Sequence, residues 1–335
     1  MNPDHVSPIE HLLWHPVCDA SLVQEVPLSV ELLNHGLVLW RDQNGTVFGL
    51  HDRCPHRGAR LSLGRVCQGQ LQCAYHGWTF EGQGQCTQVP ALPHFKPGPA
   101  QQAKAVAVQE RMGLVWVCLD AANAEQAIWP VFAAEWNAGM RKFNAGPYDV
   151  ATSAPRIVEN FLDMSHFSFV HDGWLGQAGF SEIPDIQLTD SEMGFKVSNA
   201  QVWQPNTSAL STEGGMVSYT YEVNHPYSAV LTKIPDAQSG VPPGYEESIV
   251  LLIQPQTTDS CRVWFRMAVS DLEADVEDVL AFQDKIFSQD KPVLESQKPR
   301  LLPLQTGAES NVASDKASVA YRRFLQKLAV TFGVC

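Results

Sequence analysis

Short apolar runs set off by polar turns fill the first third of the chain, and apolar and polar residues alternate between 183 and 266, with longer helical spacings between and after these stretches. Leu37-Val38-Leu39-Trp40 and Val47-Phe48-Gly49-Leu50 flank the polar stretch Arg41–Thr46, and Asn44-Gly45 suits the positive φ angles of a tight hairpin turn. Thr79–Thr87 predicts a second hairpin, turning at Gly82 or Gly84. A third joins Ala105–Glu110 to Leu114–Leu119 through Met112-Gly113, after a proline-rich crossing segment from Pro90 to Pro99. Residues 120–150 are mixed and aromatic, and read as a linker into a second domain.

From Arg156 no helix breaker occurs until Gly173, which predicts one helix there. Beyond it, Ser218–Val223, Ser248–Ile253 and Arg262–Met267 are strand-like, so an antiparallel sheet with long loops is expected. The Pro/Gly-rich stretch Ile234–Tyr245 reads either as a loop over a pocket or as plain surface. Asp271 is a plausible cap for a long helix running to about Gln297, with acidic residues in its first turns and Pro292 inside it. A closing helix, Ser314–Phe332, packs through Val319, Tyr321, Leu325 and Leu328. Phe161, Phe167 and Trp174 are expected in the core. The pattern is α+β: a small all-β domain over 1–130, then a domain over 131–335 in which an antiparallel sheet packs on a long helix.

Length and composition narrow this further. A chain of 335 residues with 44% hydrophobic content has material for two cores. No apolar run is long enough to span a bilayer, and Met1-Asn2-Pro3-Asp4-His5 lacks the features of a signal peptide, so a cytoplasmic protein is expected. The net charge of −13 argues against a nucleic-acid or anionic-membrane partner. Eight irregularly spaced cysteines in so long a chain do not make a disulfide scaffold; Cys18, Cys67, Cys86, Cys118, Cys261 and Cys335 are expected to be free thiols.

The chemistry starts at Cys54-Pro55-His56-Arg57-Gly58, answered by Cys73-Ala74-Tyr75-His76-Gly77-Trp78. Each arm offers one Cys and one His. Two thiolates and two imidazoles suit a Rieske 2Fe-2S cluster, in which the cysteines hold one iron and the histidines the other. A zinc finger usually groups its cysteines and its histidines separately, whereas here the types alternate within each arm. Lone glycines nearby are turns and not a phosphate cradle, because no G-x-G-x-x-G opens a helix.

The second centre is Asn160-Phe161-Leu162-Asp163-Met164-Ser165-His166 and on to His171. His171 lies five residues beyond His166, which an ideal helix would rotate away; a widened turn, or a helix ending near Val170, would bring it back. Asp290 shares a helix face with Ile286, Phe287 and Leu294, an unexpected place for a carboxylate unless something cationic meets it. Two imidazoles and one carboxylate on one face of iron(II) leave positions open for dioxygen and substrate, and His166, His171 and Asp290 are the natural trio. Asp163 is better used as a bridge that orients His166 or a cluster histidine. Residues alone do not separate bridge from ligand.

These motifs resemble the oxygenase component of the Rieske non-heme iron oxygenases. Cys54-x-His56-Arg57-Gly58 with Cys73-x-x-His76-Gly77-Trp78 is similar to their cluster signature, Asn160-x-x-Asp163-x-x-His166-x-x-x-x-His171 to their iron motif, and Gln289–Gln297 to the segment bearing their carboxylate ligand. The branch it resembles holds caffeine N-demethylases, dicamba and vanillate O-demethylases and saxitoxin-pathway hydroxylases. The resemblance implies a helix-grip-like catalytic domain and the 2Fe-2S cluster on Cys54, His56, Cys73 and His76. It implies mononuclear iron(II) on His166, His171 and Asp290, with Asn160 nearby. It also implies a homotrimer in which electrons cross from one subunit's cluster to the next subunit's iron through Asp163. Dioxygen is the implied co-substrate. This chain carries no flavin, nicotinamide or plant-type ferredoxin motif, so a separate NAD(P)H-dependent reductase, with or without a ferredoxin, would supply electrons. The implied reaction is mono-oxygenation of a small, cyclic or heterocyclic substrate by hydroxylation or N-/O-demethylation. Ring cis-dihydroxylation is a further reading. So, from other classes, are a non-catalytic Rieske electron carrier and a zinc-stabilised binding protein.

Overall fold

The three hairpins expected between residues 37 and 119 form, and their turns show why. A computed structural model describes residues 6–335 except 209, 210, 212 and 274. It divides into two compact units, Pro8–Trp129 and, for its bulk, Pro130–Cys335. The first unit opens with α1 (Pro8–His11) and holds ten strands: β1 (His15–Asp19), β2 (Leu28–Leu32), β3 (His35–Arg41), β4 (Val47–His51), β5 (Arg65–Cys67), β6 (Gln70–Gln72), β7 (Thr79–Phe80), β8 (Cys86–Gln88), β9 (Ala107–Arg111) and β10 (Leu114–Cys118). They form three antiparallel sheets in the orders β1-β10-β9, β2-β3-β4 and β5-β6-β7-β8. In the β3–β4 turn the Asp42 carboxylate accepts the amides of Asn44 and Thr46 at 3.0 and 2.8 Å, and only Gly45, not Asn44, takes the positive φ. Met112 and Gly113 both take it between β9 and β10, as a two-residue hairpin loop requires. The β7–β8 turn closes at Gly84. Val38, Trp40, Leu50, Leu61, Leu71 and Phe80 form the core, with Cys54 and Cys73 packed into it.

The second unit is built on a seven-stranded antiparallel sheet. In chain order its elements are β11 (Arg141–Val150), α2 (Ala154–Leu162), α3 (Phe167–Val170), β12 (Gln187–Ser191), β13 (Gly194–Gln204), β14 (Gly215–His225), β15 (Ser228–Pro235), β16 (Glu247–Thr257), β17 (Ser260–Val269), α4 (Val276–Ser296) and α5 (Lys316–Lys327). The sheet order is β11-β17-β16-β15-β14-β13-β12. Helix α4 packs on β11, and α2 on β15 and β16.

Four expectations differ from the observed elements. Residues 141–150 are not linker but the edge strand β11; Gly146-Pro147 falls in a register shift between Ala145 and Tyr148, which hides the alternation. The long helix starts later than Asp271. Asp275 caps it by accepting the Glu277 amide at 2.9 Å, while Asp271 turns the preceding loop onto Glu273. The segment from Arg156 is two helices, α2 and α3, separated at Asp163, whose backbone is extended (φ −90°, ψ 125°). The closing helix is also shorter than Ser314–Phe332, and Ala317 and Phe324 join Tyr321 and Leu325 as its buried residues.

Helix α2 is tied to α5 by ion pairs. Arg156, 2% exposed, meets Glu309 at 2.7 Å and Glu159 at 3.4 Å; Arg322 meets Glu159 at 2.6 Å and Glu309 at 2.5 Å. Burial alone would raise the Glu309 carboxyl, but the two guanidiniums outweigh it and hold it below its ordinary 4.5. A carboxyl that binds its proton more weakly in the folded chain stabilises fully above its unfolded value. That contribution is lost as pH falls below 4.5 and through the folded value. Thermal melts should therefore show a fall in stability of this unit below pH 4.5, and Glu309→Gln should flatten that part of the curve.

Candidate metal centres and active-site cavity

The two Cys/His arms have one backbone plan. The Cys54 amide donates to the Ala59 carbonyl at 2.8 Å while the Cys54 carbonyl accepts from Gly58 at 2.9 Å. The Cys73 amide likewise donates to Trp78 at 2.8 Å and its carbonyl accepts from Gly77 at 3.0 Å. Each loop needs a left-handed residue where it closes, and Gly58 (φ 75°) and Gly77 (φ 70°) supply it. The chain after the first loop is braced by buried Asp52, which accepts from the Ser62 amide at 2.7 Å, the Ser62 hydroxyl at 2.6 Å and Arg60 at 3.0 Å.

Side chains divide by depth. The thiols of Cys54 and Cys73 are buried, whereas His56 is half-buried and His76 exposed. The His56 and His76 rings lie 4.5 Å apart, and His56 stacks on Trp78. The Cys54 thiol is pushed up to about 11: burial raises it most, the neighbouring Cys73 raises it further, and the amides of His56 and Arg57 offset part of the rise. Partial burial, then His76 and Arg57, lower the His56 imidazole and so favour its neutral, ligating form. Its buried Nδ1 has no hydrogen-bond partner. Two adjacent thiols, that of Cys54 with amides aimed at its sulfur, and two adjacent imidazoles nearer the surface fit a 2Fe-2S cluster with its histidine-held iron outermost.

The second group sits where α2, α3 and α4 meet. The break at Asp163 makes His166 the residue before α3 and His171 the residue after it, so a single helical turn carries both imidazoles to one side. Their Nε2 atoms approach the same Asp290 oxygen at 3.4 and 3.3 Å. One ligand atom from each of the three residues lies within 4.8 Å of the others. The opposite ring nitrogens are occupied: His171 Nδ1 meets Gln289 Oε1 at 3.0 Å and His166 Nδ1 meets Asp163 Oδ2 at 3.2 Å. Those oxygens accept, so in the neutral rings the hydrogens sit on Nδ1 and the Nε2 lone pairs are free to ligate. Two lone pairs facing a carboxylate oxygen repel unless a cation stands among them. The trio therefore fits a divalent metal. Asn160 donates to the same Asp290 oxygen at 3.3 Å. Asp163 also accepts the Ser165 amide at 2.8 Å.

A cavity runs from this trio between the helices and the sheet. The helical wall includes Ile157, Phe161, Phe282, Gln283, Ile286 and Phe287. On the sheet side the lining residues are Tyr219 and Tyr221, Leu231 and Lys233, Glu247, Ile249 and Leu251, Phe265 and Met267. Each set steps by two, as one face of a strand must. Tyr221 is fully buried and its hydroxyl has no hydrogen-bond partner.

All of the predicted site residues fall in these two centres, the cluster candidates in one unit and the trio with Asp163 and Asn160 in the other. Phe161 and Phe167, expected in the core, line the cavity; Trp174 does not line it. Sequence reasoning missed Gln289, although it directly precedes Asp290, and missed Lys233 and Glu247, whose signal is charge at the inward phase of apolar strands. Replacing Gln289 by Ala should weaken iron retention roughly 10–100-fold, the usual cost of losing a histidine's outer partner. Iron analysis after graded chelation would measure it.

The vanillate O-demethylase oxygenase C-terminal domain matches residues 150–331, and the Rieske 2Fe-2S domain matches residues 13–107. Methylxanthine N1-demethylase NdmA of Pseudomonas putida is 32% identical over 324 residues, covering 94% of this chain and 88% of the relative. A vanillate O-demethylase oxygenase subunit from a Pseudomonas species (strain HR199 / DSM 7063) is 26% identical over 341 residues, covering 94% and 93%. The solved structure of Pseudomonas putida CBB5 NdmA with caffeine superposes with a TM-score of 0.82 at 29% identity, covering 96% of this chain and 91% of that one.

Proposed function

This chain belongs to the Rieske non-heme iron oxygenases, and we propose that it mono-oxygenates a C–H bond of a small ring compound, with an N- or O-methyl group as the best-supported target. As a member it is an oxidoreductase that uses a 2Fe-2S cluster, mononuclear iron, dioxygen and electrons from NAD(P)H through a separate reductase. One relative is named for removing a methyl group from methylxanthine nitrogen and another for O-demethylating vanillate, which supports a methylated ring substrate. The observation that carries the reading is the convergence of two imidazole Nε2 atoms and one carboxylate oxygen on an apolar, aromatic cavity.

In this reading Cys54, His56, Cys73 and His76 hold the cluster, and His166, His171 and Asp290 hold iron(II), which supplies dioxygen activation when bound. Gln289 and Asp163 fix the two histidine rings, and Asn160 holds the Asp290 carboxylate through its amide. Ile157, Phe161, Phe265, Ile286 and Phe287 keep water from the reacting carbon. The overall balance is one C–H bond, one dioxygen, two electrons and two protons giving C–OH and water. On a heteroatom-bound methyl the product collapses to formaldehyde and the demethylated heteroatom.

The reading extends to a homotrimer in which Asp163 bridges one subunit's cluster to the next subunit's iron, to delivery of electrons through a ferredoxin, to domains spanning 1–130 and 131–335, and to a cytoplasmic location. No helix among the described residues is long and apolar enough to cross a membrane.

The test is oxygen uptake by purified protein with a surrogate reductase and NADH. It should cover methylated purines, aryl methyl ethers and unmethylated ring analogues, with formaldehyde measured alongside. Substrate-dependent oxygen uptake with stoichiometric formaldehyde is the expected result. Uptake that no ring compound stimulates would overturn the reading.

A further inference from the structure

One polar feature of the cavity lies away from the metal trio. Lys233 on β15 and Glu247 on β16 are direct cross-strand partners, their side chains are only 6% and 5% exposed, and both line the cavity. Lys233 Nζ meets Glu247 Oε2 at 2.9 Å. The other carboxylate oxygen accepts from the hydroxyl of Tyr245, a buried residue of the loop between the strands. Both Glu247 oxygens are thus engaged. The ammonium has three N–H groups, one directed at Glu247, and Nζ lies 5.8 Å from the centre of the Phe282 ring, which also lines the cavity. What this pair offers the cavity is therefore donors. Phe282 and Asp290 lie on the same helix, eight residues apart, so the ion pair sits roughly 12 Å along α4 from the metal trio.

We propose that Lys233 is a substrate-binding donor held in place by Glu247 and Tyr245, and that the pair selects ring substrates bearing a neutral acceptor, a ring carbonyl or carboxamide, over the same ring bearing a carboxylate. This rests on the oxygenase reading above and adds the substrate class. The reason is charge balance. Glu247 already neutralises the ammonium inside an otherwise apolar wall. A neutral acceptor satisfies a buried N–H and leaves the pair balanced, whereas a carboxylate brings a second anion against the same cation with Glu247 beside it. The separation along α4 leaves room for a ring between the anchored acceptor and a methyl group at the trio.

Equilibrium binding to the iron-loaded, cluster-containing enzyme tests this without depending on turnover. The probes are 4-methoxybenzamide, 4-methoxybenzoate and 4-methylanisole, titrated calorimetrically, with formaldehyde release measured separately. The amide should bind at least about 10-fold more tightly than the carboxylate, because both accept from Lys233 but only the carboxylate buries a second anion beside Glu247. Glu247→Gln should shrink that preference at least about 5-fold by removing the competing anion. Should a single variant fold poorly, the paired change Lys233→Met/Glu247→Leu removes both partners together; it should bind the anisole as well as the parent does and lose the amide's advantage over the anisole, because the donor is gone. Equal or tighter binding of the carboxylate by the parent, an unchanged ratio in Glu247→Gln, or no binding of any probe would overturn the assignment. Binding in the expected order without formaldehyde release would uphold it and count against demethylation instead.

Discussion

Replacing Asp290 by Ala is expected to release the mononuclear iron and reduce turnover at least about 10³-fold, since the oxygen chemistry then loses its site. The cause is geometric. One Asp290 oxygen lies 3.3–3.4 Å from both histidine Nε2 atoms and is the only anionic member of the trio. Its removal leaves two neutral imidazoles, too weak a pair to retain iron(II). The 2Fe-2S candidates are on other loops, so the visible spectrum should survive while total iron falls by about one third, one iron of the three that a 2Fe-2S cluster and a mononuclear site hold together. An unchanged iron content with full turnover would contradict the assignment.

Cys73→Ala is expected to have the opposite signature. Cys73 is buried beside Cys54, and one thiol cannot hold the inner iron of the cluster. Colour and NAD(P)H-driven turnover should both be lost, the latter at least about 10³-fold, while the mononuclear iron stays. The mononuclear trio belongs to the other compact unit, which has its own sheet and core. A variant that kept its visible spectrum would remove Cys73 from the cluster.

How much of this was legible beforehand depended on sequence separation. The cluster loops were readable because everything that builds them is local: Cys, His and a closing glycine within a few residues of each other. Asp290 was readable as a carboxylate on an apolar helix face. The five-residue step from His166 to His171 conflicted with one continuous helix, and the conflict was real. Neither glycine nor proline marks the break at Asp163. Its side chain accepts the Ser165 amide instead, a local bond that competes with the helix. Gly146-Pro147 concealed β11 in a similar way, by interrupting the alternation that strand recognition depends on. The Lys233–Glu247 pair was illegible for another reason. Each residue alone resembles an ordinary strand charge, and only the register across β15 and β16 sets them opposite each other on the cavity side. Phe167 is buried in the core as expected and borders the cavity as well, whereas half-buried Phe161 was misjudged, because a core position and a cavity wall have the same apolar pattern; only the shape of the space between helices and sheet separates them.

The central claim is that one chain builds two separate iron centres, and diffraction at the iron absorption edge measures this most directly. Crystals of the aerobically purified, iron-reconstituted protein should give anomalous peaks at two places, a pair of irons among Cys54, His56, Cys73 and His76 and a single iron among His166, His171 and Asp290. A signal at only one of these places, or one that follows the zinc edge instead, would contradict it.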